Sequence, residues 1–371
     1  MGARVTFPHM GTLYIPVRAL LERLGLEVVV PPRPTRRTLS LGVESAPEFA
    51  CLPLKINLGN YREAAELGAE TIIMAGGVGP CRFGYYAQVQ REILRDLGYS
   101  LEMVVLEPPQ GNLLQLYRAL RRLLGRLRWS TIKEAVQLAW CKAVAADSLE
   151  RVLQAVRAVE PSPGQADLVY RRALVKLDQA ADVASVRAVA EEGRQELLRL
   201  APADAPPPLR IALVGEIYTL LEPFSNLELE RHLGRLGVQV VRQIFLTHWI
   251  QEHLVPRPWR PSGEELNPRE LAFPYLRHFV GGHGLETIAH SVYFSRQRVD
   301  GVIQVAPLTC MPEIVAEAIL PQVSRELDLP VLTLFFDEHS AEAGLLTRLE
   351  AFVDLVRRRK ASRRKGRVKG Q

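Results

Sequence analysis

Along the first hundred residues, short apolar runs alternate with stretches whose apolar positions recur every three or four residues. "RVTF" (4–7), "LEVVV" (26–30), "ETIIMA" (70–75) and "SLEMVVL" (100–106) read as strands. "YIPVRALLERLG" (14–25), "CLPLKINLGNYREAAELG" (51–68) and "RFGYYAQVQREILRDLG" (82–98) read as helices between them. Strand-length apolar runs separated by helix-length periodic segments predict βα units and a parallel sheet.

The pattern changes over 111–200, where Leu, Ala, Arg, Glu and Gln dominate at helical spacing, as in "LLQLYRALRRLLGRL" and "RVLQAVRAVE". "EPSPGQ" (160–165) breaks this helical module, and "APADAPPPLR" (201–210) ends it as a stiff linker. The first plan then returns. "RIALVG", "VQVVRQIF", "VDGVIQVA" and "LPVLTLFF" are strand-like; "NLELERHLGRLG", "GLETIAHSVYFSRQ" and "MPEIVAEAILPQVSREL" are helical, and a last helix, "AEAGLLTRLEAFVDLVRRR", ends in the basic tail. The halves align: "AETIIMAGGVGPCRFGYY…EILRDLGYSLEMVVL" runs parallel to "VDGVIQVAPLTCMPEIVA…SRELDLPVLTL". Each has a strand, a turn ending in cysteine, a long helix and a second strand. The expected layout is an α/β domain over 1–110, a helical module over 111–200, a linker over 201–210, a second α/β domain over 211–356 and a basic tail over 357–371.

Charge is concentrated in that tail. "RRRKASRRKGRVKGQ" carries nine Lys/Arg and no acid, so the remaining chain is net −3 against +6 for the whole. No aromatic residue interleaves the charges, and the expectation is a disordered, solubilising terminus, with nucleic-acid binding at most an accessory property. No stretch approaches the ~18 apolar residues of a membrane span. The N-terminus lacks the order of a secretory signal. It fits the loose myristoylation pattern through Gly2 and Thr6, but a first strand at Val5–Phe7 would tether Gly2. A soluble cytoplasmic protein is expected.

The four cysteines are Cys51, Cys81, Cys141 and Cys310. Cys81 and Cys310 occupy the same place in the two repeats, beyond the carboxyl end of a strand and at the start of a helix. Ligands of open parallel sheets collect there, and a helix N-terminus favours the thiolate that binds metal. Cys51 precedes Leu-Pro and a helical pattern, and is also at a helix entry. If two such domains face one another, the three thiolates can share a cleft; buried inert thiols are the competing reading. Cys141, among Ala, Val and Trp at helical spacing, reads as core.

"CLPLKI", "GPCRFGYY", "VGGHGLETI", "PLTCMPEIVAEAILPQVSRE" and "LPVLTLFFDEHSAEAGLLTRLEAFVDL" resemble the 2-hydroxyacyl-CoA dehydratase superfamily, especially its CoA-enzyme activase-related branch. The likeness covers both α/β parts. It implies two flavodoxin-like domains in pseudo-repeat with a helical insert, and a [4Fe–4S] cluster on Cys51, Cys81 and Cys310. It also implies one-electron chemistry on an acyl-CoA, dependent on an ATP-hydrolysing activator, with a sister dehydratase subunit as a further partner. No Walker P-loop and no Asp-x-Gly-x-Thr phosphate loop occurs, so this chain is not expected to hydrolyse ATP itself. An electron-transfer or maturation protein without a CoA substrate, and a metal-free flavodoxin-like binding module, are the alternatives.

Other candidates are weighed against structural roles. Gly76, Gly77 and Gly79 could let the backbone approach a cofactor. Gly282, His283 and Gly284 open a helix that could bind CoA phosphates, and Glu286 and His290 share a face with His283. Glu338 and His339, just past a strand, are acid/base candidates; the competing reading is that Asp337 or Ser340 caps the next helix. Lys55 and Arg82 could offset cluster charge.

Overall fold

The computed structural model describes residues 4–77, 79–106, 121, 124–125, 128–254 and 267–368, with side chains through 363 in the last helix and not for 253–254. Most of the helical reading over 113–127 lies outside the described residues.

The described residues form two four-stranded sheets, both wholly parallel. The first contains β1 (Arg4–Thr6), β2 (Glu27–Val28), β3 (Thr71–Ala75) and β4 (Glu102–Leu106) in the order β2-β1-β3-β4. The second contains β5 (Leu209–Gly215), β6 (Val238–Val241), β7 (Gly301–Pro307) and β8 (Val331–Phe336) in the order β6-β5-β7-β8. The orders are the same, and both are flavodoxin-like, with the switch point between the first and third strands.

The repeat extends to individual hydrogen bonds. In the first sheet Glu70 N donates to Arg4 O at 2.8 Å, while Arg4 N faces Glu70 Oε2 at 3.4 Å. In the second, Asp300 N donates to Arg210 O at 2.8 Å and Arg210 N to Asp300 Oδ2 at 2.9 Å. The registers match as well: Val5 pairs with Thr71 as Ile211 pairs with Gly301.

Period-two alternation loads both faces of the first sheet. Ile72, Met74 and Met103 join Leu54, Leu58, Tyr61 and Leu94 on one side; Val5, Ile73 and Val104 join Leu21 and Leu26 on the other. The helices Tyr14–Arg23, Leu52–Glu66 and Tyr86–Asp96 supply these layers. In the second half, Ala212, Val214 and Val302 pack with Phe294 and Leu329. The helices Pro268–Ala272, Gly284–Arg296 and Met311–Glu326 share a core around Ile288 and Val323.

The helices Trp129–Val156, Gln165–Gln179 and Val183–Leu198 lie between the two sheets in sequence. The turn between the first two covers the predicted break at 160–165. By contacts the chain divides into one unit of 1–147, 174–190 and 245–261, and another of 148–173, 191–244 and 262–371. The helical residues are thus apportioned to both units.

Several elements differ from expectation. The helices Arg36–Ser45, Ile217–Leu221, Leu246–Leu254 and Pro268–Ala272 were not foreseen, and the strand read over 238–245 ends at Val241. The terminal helix runs over Glu342–Val368, so the segment from 357, expected to be disordered, is helical through 368. It is held by Arg359 and Arg363 on Asp328, and by Lys360 on Asp300 at 2.7 Å. Among the described residues no helix is long and apolar enough to cross a membrane.

Candidate functional site

The three cysteines expected to bind metal all cap helices. Cys51 is the N-cap of Leu52–Glu66, Cys81 of the 3-10 helix Arg82–Tyr85, and Cys310 of Met311–Glu326. Their backbones are extended, with ψ of 153°, 134° and 102°. N-caps favour Ser, Thr, Asp and Asn, so cysteine at three of them is not explained by capping. Pro53 and Pro312 lie in the first turns, as the sequence suggested. Cys81 follows β3 and Cys310 follows β7, each the strand at the switch point of its sheet. Cys141 instead lies inside the helix Trp129–Val156.

In the first unit, the Cys51 and Cys81 segments are tied together. Tyr86, buried one helical turn past Cys81, is hydrogen-bonded through its hydroxyl to Cys51 Sγ. Arg82 Nη1 donates to Phe49 O at 2.8 Å, and buried Lys55 Nζ donates to Glu48 O at 3.0 Å. The two cations expected to offset charge therefore also fix the loop that leads into Cys51. Gly77 has a packing role: a Cβ there would lie 2.6 Å from Phe83 and 3.1 Å from Gly84 N. Gly76 N donates to Leu106 O at 2.9 Å, and a Cβ on Gly79 would meet open space.

In the second unit, Cys310 follows Thr309, whose φ of 67° is an outlier for a β-branched residue. Leu308 N donates to Phe336 O at 2.7 Å, joining this turn to the end of β8. Gly284 lies against the start of the Cys310 helix; a Cβ there would be 2.3 Å from Pro312 O. His283 is the N-cap of the helix Gly284–Arg296, and Gly282 takes a φ of 45° that glycine tolerates. Fold geometry thus accounts for Gly282 and Gly284 without a ligand.

Glu338 is half-buried and His339 exposed, both just past β8. Asp337 N donates to Ser340 Oγ at 2.9 Å, while Ser340 Oγ and His339 N donate to Asp337 Oδ1 at 2.8 and 3.0 Å. Asp337 and Ser340 thus close a turn among 337–340 ahead of Glu342, and among the described residues no bond from either side chain to the helix that begins at Glu342 is seen, so the expected cap takes the form of a turn instead.

A buried polar cluster escaped the sequence reading. Glu313, three residues past Cys310, is 0 % exposed. Thr287 Oγ1 lies 3.0 Å from both of its carboxylate oxygens, and Gln304 Nε2 donates to Oε2 at 2.9 Å. Burial pushes the Glu313 carboxyl up to about 8, with the charges of Glu216 and Glu286 adding to the rise against the lowering hydrogen bonds. Glu216, in the turn after β5, is also raised by burial, and accepts from Tyr218 N, Thr219 N and Thr219 Oγ1 at 2.8 Å each. Gln304 was the available signal, a lone polar residue inside "VIQVA".

Among the described residues no group of three or more His, Cys, Asp or Glu is arranged to hold a metal ion. No family model matches the chain, and no curated protein matches it.

Proposed function

We propose that this protein carries a [4Fe–4S] cluster on Cys51, Cys81 and Cys310 and takes part in activator-dependent one-electron chemistry on an acyl-CoA, in the manner of 2-hydroxyacyl-CoA dehydratases. The observation that carries this reading is the placement of all three cysteines at helix N-caps, two of them after the switch-point strands of repeated sheets. The donor set fits such a group. Thiolate is the ligand that iron–sulfur clusters take, and helix amides and the dipole stabilise it. The Tyr86 hydroxyl at Cys51 Sγ is a hydrogen-bond partner of the kind that tunes a metal-bound sulfur. A cluster with three protein ligands supplies one iron able to act as a Lewis acid toward an oxygen ligand.

The chain's own residues organise the rest. Arg82 and Lys55 hold the carbonyls ahead of Cys51. Leu308 and Phe336 join the Cys310 turn to its neighbouring strand. An ATP-hydrolysing activator supplies the low-potential electron, a sister subunit is a candidate partner, and the cytoplasm is the proposed compartment.

The test is anaerobic reduction of the iron-loaded chain by such an activator. Electron-spin resonance should show a signal that needs both activator and ATP, and that changes when 2-hydroxyacyl-CoA is added. A signal indifferent to every acyl-CoA would favour electron transfer alone. Failure to take up iron would leave a metal-free α/β binding module.

A further inference from the structure

Glu313 is a carboxyl group in an environment that works against a carboxylate. It is fully shielded, and the groups that touch it are neutral: Thr287 Oγ1 from the helix Gly284–Arg296 and Gln304 Nε2 from β7. The Gln304 amide is held in one orientation. Thr333 Oγ1 on β8 donates to its Oε1 at 2.9 Å, while its Nε2 also reaches Glu313 O at 2.9 Å. No cation pairs with Glu313 among the described residues. The carboxylates Glu216, from the turn after β5, and Glu286, from the helix Gly284–Arg296, add to the cost of a charge there, and the buried titratable His290 lies one turn beyond Glu286 on that helix. The Cys310 thiol lies one turn before it on its own helix.

Glu216 and Glu313 differ in their donors. Glu216 has two backbone N–H groups, which favour the charged form. Glu313 has no backbone donor among its hydrogen bonds. A glutamine of the same shape would fill the place without the penalty of burying a charge. An acid kept against its own environment breaks a local rule, as functional positions do.

We propose that Glu313 works as a neutral acid: by keeping its proton it adds no negative charge of its own beside the Cys310 turn when an electron is brought there. This rests on the cluster reading above. When a one-electron donor protein reduces the site, one electron arrives and the proton stays on Glu313. In alkaline solution, where Glu313 has lost it, each electron is accompanied by one proton taken from solvent onto a Glu313 carboxylate oxygen. Glu313 is a positioning residue for charge, acting through the turn rather than on substrate.

Infrared spectroscopy of the iron-free full chain at pH 7 tests the acid itself. A carboxylic C=O band should be present, and Glu313→Gln should abolish it. Thr287→Val, which removes one donor and keeps the acid, should retain the band at a shifted frequency. In the iron-loaded protein the midpoint potential of the wild type should fall with pH above about pH 8, and that of Glu313→Gln should stay level with iron retained. Absence of the band, its survival in Glu313→Gln, or equal pH slopes in the two proteins overturns the proposal. A chain that shows the band but takes up no iron fails the cluster reading, and the role of Glu313 at that turn falls with it.

Discussion

Gln304 holds Glu313 twice: its Nε2 donates at 2.9 Å to the Glu313 carboxylate and at 2.9 Å to the Glu313 backbone carbonyl. One amide on β7 thereby fixes both the first turn of the Cys310 helix and the acid that turn carries. Stability should follow the proton. The folded carboxyl titrates near about 8, above its ordinary 4.5, so between those values the folded chain keeps a proton that the unfolded chain has released. The stabilising contribution is full below about pH 4.5, is lost as pH rises, and is gone above about pH 8. Denaturant melts from pH 5 to pH 8.5 should show wild type losing on the order of 3–5 kcal/mol relative to Glu313→Gln across that window. A constant difference between the two would contradict the buried acid.

The helices Arg36–Ser45 and Leu52–Glu66 cross at two glycines. A Cβ on Gly59 would lie 1.8 Å from Thr38 O, and one on Gly42 would lie 1.7 Å from Lys55 O. Because both obstacles are backbone, neither can turn aside. Gly59→Ala should cost about 3 kcal/mol or more in equilibrium unfolding. Gly344→Ala, with nothing within 4 Å of its Cβ, should be neutral or stabilising by up to about 1 kcal/mol. Equal effects would mean the crossing is looser than described.

Arg242, whose side chain is 0 % exposed, pairs with Glu150 at 2.6 Å and Glu230 at 2.9 Å. Arg157 extends the network to Asp167 at 2.6 Å. Removing one cation leaves buried carboxylates uncompensated, so Arg242→Met should cost about 3–5 kcal/mol by chemical denaturation. Arg194→Met, which breaks an exposed pair with Glu191, should leave the midpoint unmoved. A small effect at Arg242 would show that water reaches the network.

The strands and most helices were legible because their apolar periods are long and clear, and the repeat was legible because both halves carry them in the same order. The helix Arg36–Ser45 escaped because its buried face is made of Thr38 and Gly42, which give no hydrophobic period; its start is set by the reciprocal Thr35–Thr38 cap. The tail escaped for a related reason. Past Val356 there is no apolar stripe to read, and the helix continues on charge pairs with Asp300 and Asp328, which are distant in sequence. Helix entry was readable for all three cysteines from the prolines and strand ends around them. Glu313 was not, because an acid in the first turn of a helix is ordinary, and only the fold puts Thr287 and Gln304 around it.

The central claim is tested most directly by anaerobic iron and sulfide analysis of the wild type beside Cys51→Ser, Cys81→Ser, Cys141→Ser and Cys310→Ser. About four irons and four sulfides per chain are expected in the wild type and in Cys141→Ser, with loss of both in the other three. Iron-free wild type, or a pattern in which Cys141 matters as much as Cys310, would contradict the cluster.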